Sequence, residues 1–392
     1  MDATLTDTID MNGDPLAFKL RAGKGRADLL AKGGTIKVEA RQMAVHQKEA
    51  VVTEGDGGTQ WRLTSDEGLH LKGTDLAPFP LGFFNAGLQC DLYGRIRRLA
   101  GQRNIALRGV DMRLVNHYWL TGSFIHGTGE GHAEAPDIDL RIDSDATTEA
   151  VAALVATALD TSPAMAFLRT PMTANTFALY VNGRRRDVEG IVNSPLVAAD
   201  DPYTVYSRAP RPLEAGARRD LIQKTGVVEQ GTIEPASPSV TNKLLRNIVG
   251  EGRSVGSDGL FEVDTFLTLP GCSHFKLTGD ESANEVAPTG IALLSAGIAF
   301  CYMTQLSRYI ENMKMNIRQV RLVQFTPSTA GDKAAVAPID THLFLNGEAP
   351  VETHLQLLTI AARTCYLHAA SKTPTEPKVR IVHNGQAIAK AA

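Results

Sequence analysis

Two stretches decide the fold of this chain: residues 65–90, SDEGLHLKGTDLAPFPLGFFNAGLQC, and residues 279–301, GDESANEVAPTGIALLSAGIAFC. Each opens on Asp-Glu (Asp66-Glu67; Asp280-Glu281), passes a loop ending in proline (Pro78 and Pro80; Pro288), and runs through an apolar segment to a cysteine, Cys90 or Cys301. The agreement continues downstream. Glu149 precedes Ser162 by the same interval as Glu352 precedes Cys365. Arg169-Thr170-Pro171 and Lys372-Thr373-Pro374 follow, and Asn182-Gly183 and Asn384-Gly385 close the two series. Spacing repeated at so many points predicts a duplicated unit. Each copy is too long for a solenoid repeat and reads as a domain. The copies differ where chemistry would sit, because Ser162 stands where the second copy has Cys365.

Within each copy the order reads strands, long helix, strands, helix, strand, an α+β unit with helices on an antiparallel or mixed sheet. Leu81, Phe84, Leu88, Leu92 and Ile96 recur at helical spacing, as do Leu294, Ile298, Cys301, Leu306 and Ile310. Second helices are predicted over 147–159, with Asp145 and Glu149 at its start, and over 351–365, with Pro350 at its first turn. The expected domains span 33–200 and 242–388, after a weakly patterned leader, 1–32, and around a proline-bearing linker or arm, 201–241, with a short helix near 213–223.

A net charge of −3 argues against a nucleic-acid surface, and Arg184-Arg185-Arg186 reads as a solvated strand end. Four cysteines do not make a disulfide scaffold, and no basic and apolar leader opens the sequence, so a cytoplasmic location is expected. Residues 286–307 carry no charge and are long enough to imitate a membrane span. Pro288, Gly290, Gly297, Thr304, Gln305 and Ser307 favour instead a helix buried between sheets.

With LDTSPAMAF (159–167) and ARTCYLHAA (362–370) added to the two opening stretches, the chain resembles the OsmC-like family, which includes the organic hydroperoxide resistance proteins. The resemblance covers both copies and leaves out the leader and the linker. It implies homodimers of interlocked subunits with active sites at the interface. Two tandem OsmC-like domains would then form an intramolecular pseudo-dimer with central buried helices. It also implies a stress-response peroxidase that reduces organic hydroperoxides through a cysteine pair and draws electrons from an external thiol reductant. Carried over by position, Cys301 attacks and Cys365 resolves; Cys90 is the attacking thiol of the other site, whose partner position holds Ser162. Family peroxidases activate the thiol with an arginine and an upstream glutamate. Here Pro80-Leu81 and Ile291-Ala292 occupy the glutamate positions, and Lys72 and Lys276 are the nearest bases in the matching loops. That departure leaves open a cysteine-nucleophile hydrolase or lyase, or a non-catalytic site for an apolar ligand.

Other groupings are weaker. His117, His126, His132 and Glu134 share one strand–loop region, but their spacing matches no metal motif, and no metal is expected. Ser162 lacks a nucleophile-elbow sequence, and Cys272 reads as packing. His368 would share a face with Cys365 if that helix continued. No phosphate-binding or dinucleotide loop is present, so no organic cofactor is implied.

Overall fold

The computed structural model describes residues 7–11, 13–214, 220–230, 246–256 and 259–388. The first part of the chain forms β1 (Ala17–Arg21), α1 (Arg26–Lys32), β2 (Gly33–Gln42), β3 (Lys48–Glu54) and β4 (Gln60–Ser65), then α2 (Pro80–Gln102). It continues through β5 (Leu107–Thr121), β6 (Glu130–Ala133), β7 (Asp137–Ser144), α3 (Thr148–Thr161), α4 (Pro163–Arg169), β8 (Thr176–Val181), β9 (Arg184–Arg186) and β10 (Val192–Asn193). The second part forms β11 (Ile222–Val228), β12 (Arg246–Val255), β13 (Leu260–Leu267), β14 (Ser273–Asp280), α5 (Gly290–Asn312), β15 (Ile317–Thr329), β16 (Ala335–Val336) and β17 (Asp340–Gly347). It ends with α6 (Val351–Thr364), α7 (Tyr366–Lys372), β18 (Lys378–His383) and β19 (Gln386–Ala387).

These elements make an α+β fold with two mixed sheets, and each sheet takes strands from both parts. One runs β1-β4-β3-β2-β15-β17-β8-β10, the other β11-β14-β13-β12-β5-β7-β18-β19. The joints are long-range ladders. Ala40 pairs with Leu322 where β2 meets β15, and Val115 with Val249 where β5 meets β12. Past these joints the chain returns, with β8 parallel to β17 and β18 parallel to β7. A parallel neighbour cannot be reached by a hairpin, so the two parts are woven rather than set side by side.

Between the sheets lie α2 and α5, α2 packed on β12 and β13 and α5 on β2 and β3. They run antiparallel at very close range. A Cβ at Gly87 would lie 2.5 Å from the backbone nitrogen of Leu294, and one at Gly290 would lie 2.4 Å from that of Asp91. The most apolar 18-residue window of α5 is wholly buried in the protein, which accounts for its charge-free sequence. Its N-terminus is held by carboxylates from both parts. Glu54 accepts from the Thr289 backbone N–H at 2.7 Å and its hydroxyl at 2.8 Å, and Glu281 accepts from Gly290 N–H at 2.6 Å. Such oxygen acceptors suit the orphan donors of a helix N-terminus. Buried Arg26 of α1 pairs with Glu54 and bonds the Asp280 and Ala287 carbonyls, tying the leader to the second part.

The sequence is corrected at its margins. The leader supplies an edge strand and a helix. Of the expected helix near 213–223, residues 215–219 lie outside the described residues, and Ile222 and Gln223 begin β11, an edge strand on β14. Both second helices end close to the expected 159 and 365, at Thr161 and Thr364, and a further short helix follows each after Ser162 and Cys365, both in extended conformation.

Candidate active site

α5 carries Cys301 into the centre, and the break between α6 and α7 brings Cys365 to it. Their Sγ atoms are 3.3 Å apart, and both thiols are free. Bonded sulfurs lie about 2.05 Å apart, so this is a thiol–thiol contact in reach of disulfide formation. Cys365 is fully buried, whereas Cys301 is 3% exposed and lines a cavity of about 230 Å³. Only one of the two sulfurs meets a ligand there.

Their proton affinities diverge. Burial pushes the Cys301 thiol up, and its hydrogen bond with Cys365 adds to this. Burial also acts to raise Cys365, but the bond from Cys301, the His368 imidazole and the His368 backbone N–H outweigh it, leaving that thiol well below its ordinary value. The opposed shifts make Cys365 the more acidic and Cys301 the less acidic member of the pair. His368 does this without a shared helical face, because the helix stops at Cys365. Its ring lies 5.0 Å from that of Tyr302.

The cavity supplies the ionised groups that the sequence did not place. Glu67, Arg246 and Arg308 line it with Cys301, Thr304 and Tyr366. Glu67 comes from the Asp-Glu motif of the first part, whereas Cys301 belongs to the second. Arg308 lies two turns beyond Cys301 on α5, its guanidinium 4.0 Å from the centre of the Phe124 ring. The bases singled out in sequence do not contribute: Lys276 pairs with Glu262 at 3.3 Å, and Lys72 ends a short turn with left-handed backbone. Woven strands explain the miss. Read copy by copy, Glu67 belongs with Cys90; in space it lines the cavity with Cys301.

The counterpart position is filled. Cys90 is completely buried, its Sγ 3.9 Å from the Phe261 carbonyl, and a Cβ at Gly279 would come within 2.6 Å of the sulfur. Burial, then the charges of Glu281 and Asp91, push its thiol well up. Ser162 is engaged with Asp91 and caps α4 by accepting from Met165 N–H at 3.0 Å. Nothing there presents a second thiol to Cys90. Beside it Glu281 is half-buried, and desolvation followed by the like charge of Asp91 pushes its carboxyl up to about 8. A folded value above the unfolded 4.5 means that the contribution to stability is fully present below about pH 4.5 and lost as pH rises through about 8. Glu281→Gln is therefore expected to match wild type in acid and exceed it above that range, as read by chemical denaturation across pH.

The histidines near β5 and β6 are engaged separately. His117 bridges Asn247 and Asp137 at 2.8 Å each, His132 bonds Thr121 at 2.8 Å, and His126 bonds Ser123 at 3.0 Å. No cluster able to hold a metal ion occurs among the described residues. Cys272 is buried, with Sγ 3.5 Å from His70 Nδ1, and desolvation pushes its thiol up to about 11.

No protein-family model matches the chain, and no curated protein matches it. Among solved structures, the crystal structure of an OsmC-like hydroperoxide resistance protein from Jannaschia sp. CCS1 aligns at 22% identity. The alignment covers 31% of this chain and 82% of that one, with a TM-score of 0.20. A likeness this slight carries no argument.

Proposed function

We propose that the chain is a thiol-dependent peroxidase-like oxidoreductase that reduces organic hydroperoxides at one site, with Cys301 as the attacking and Cys365 as the resolving thiol. The observation that carries this reading is the 3.3 Å sulfur contact with only Cys301 on the cavity. Cys301 sulfur attacks the terminal peroxide oxygen and the O–O bond breaks. The Cys301 proton passes by way of the Cys365 thiolate to the leaving alkoxide, giving an alcohol and a sulfenic acid. Cys365 thiolate then displaces hydroxide from the sulfenic sulfur, forming the disulfide, and an external dithiol returns two electrons by exchange. No organic cofactor or metal enters this sequence. The tandem copies are read as a fused dimer in which only one of two ancestral sites is kept, and Cys90 is a packing residue.

The test is stoichiometric. Wild-type protein given one equivalent of cumene hydroperoxide is expected to lose two hydrogens in intact-mass measurement, with peptide mapping placing a Cys301–Cys365 bond. Cys301→Ser should consume no hydroperoxide above background. Equal rates for the two proteins, or no peroxide-dependent bond, would reject the reading. The apolar part of the lining, Leu71, Phe79, Leu81 and Phe124, supports the second reading, a binding site for an apolar small molecule without redox turnover. That alternative predicts ligand protection of Cys301 from alkylation and no disulfide.

A further inference from the structure

Lys48 is a buried charged residue that the proposed reaction does not use. It lies at the start of β3, 1% exposed, and donates to the His46 carbonyl at 2.7 Å and the Thr304 hydroxyl at 2.8 Å. Its Nζ is 3.5 Å from Glu67 Oε1, and Thr304 donates to that same carboxylate oxygen. Thr304 follows Cys301 by nearly one turn of α5, and Thr304 and Glu67, the two groups beside Lys48, line the cavity with the thiol. Burying an ammonium this completely is costly unless it is paired and hydrogen-bonded.

The other half of the molecule shows that the fold does not require this cluster. In the β3–β4 ladder Lys48 faces Ser65, two residues before Glu67; in the β13–β14 ladder Phe261 faces Gly279, two residues before Glu281. The position three after Cys301 is Thr304, and three after Cys90 is Tyr93. Where one site has an ammonium and a hydroxyl, the other has the Phe261 and Tyr93 rings stacked at 4.6 Å. The polar pair persists only beside the thiol that faces a cavity.

We propose that Lys48 is a positioning residue, whose ammonium, through Thr304, fixes and balances the Glu67 carboxylate so that Cys301 can ionise beside it. The inference rests on Cys301 being the reactive thiol. Glu67, Arg246, Arg308, His70 and Tyr366 line the cavity with that thiol, and Cys365 and Tyr118 are its other titratable neighbours; Lys48 reaches it only through Thr304 and Glu67. Without Lys48, Glu67 would lose its ion-pair partner at 3.5 Å and weigh more heavily against a thiolate at Cys301.

The experiment is the pH profile of Cys301 alkylation by iodoacetamide in the full chain, read by peptide mass. Lys48→Met is expected to move the midpoint up by about one unit, a roughly tenfold slower reaction below it. Lys48→Arg should stay within about twofold of wild type. In a Glu67→Gln background, which leaves no unpaired carboxylate and so tolerates the change should Lys48→Met alone not fold, Lys48→Met should have no further effect. A shift that persists in that background, or a wild-type profile in folded Lys48→Met, would overturn the proposal. Hydroperoxide turnover is scored separately. Wild type that alkylates at Cys301 yet consumes no hydroperoxide sinks the peroxidase reading and leaves this one standing; no alkylation at Cys301 up to pH 10 sinks both.

Discussion

Cys365→Ser is expected to turn Cys301 into a thiol that reacts once. The first hydroperoxide still oxidises Cys301, but a serine hydroxyl cannot displace hydroxide from the sulfenic acid, so no disulfide forms. Multiple-turnover consumption with a dithiol reductant should fall by about a hundredfold or more, and excess hydroperoxide should drive Cys301 to the sulfinic form, which thiols do not reverse. Loss of the Cys365 thiolate also removes the acceptor for the Cys301 proton, so the first oxidation should slow as well. Single-turnover kinetics with mass detection separates the two effects. A Cys365→Ser protein that turns over like wild type would show that the sulfur contact is packing alone. Cys90 provides an internal comparison, since it should survive the same treatment unmodified until the protein is unfolded.

The second large effect concerns stability. Glu54 accepts from both Thr289 donors at the head of α5 and pairs with Arg26. Glu54→Ala leaves the buried Arg26 with Asp280, 3.9 Å away, as its remaining carboxylate and removes the acceptor of two Thr289 donors; breaking one partner of a buried, hydrogen-bonded pair typically costs about 3–5 kcal/mol. The denaturant midpoint should drop accordingly. Arg26→Met/Glu54→Gln should recover much of the loss, because the charges leave together and an amide oxygen still reaches Thr289. Failure of that double variant to improve on Glu54→Ala would mean that the cap rather than the ion pair governs the site.

Much of the fold was legible because local pattern and tertiary role agree. Apolar periodicity places both long helices, and the charge-free run 286–307 reports the burial of α5 as far as Ser307. What was not legible shares one cause. Glu67 could not be joined to Cys301, nor Arg26 to Asp280 and Ala287, because their partners lie in the other part of the chain and no local spacing records an exchanged strand. The ends of the second helices were legible, but the short helices beyond them were not. Pro163, a common first helical residue, marks the first, and Tyr366 gives no such signal for the second. Arg308 alone was within reach of sequence reasoning, since it repeats the face of Cys301 two turns on.

The exchanged strands also bear on biosynthesis. Arg41 must wait for Arg321, and Ile248 for Asn116, before either sheet can close. The first part emerges from the ribosome with β2 and β5 presenting unpaired edges and an apolar α2 uncovered, and it stays so until nearly the whole polypeptide has been made. Long-range pairing of this kind is slow and leaves nascent chains prone to aggregation. A truncated message would yield no usable fragment, and demand for chaperone protection should be greatest midway through translation.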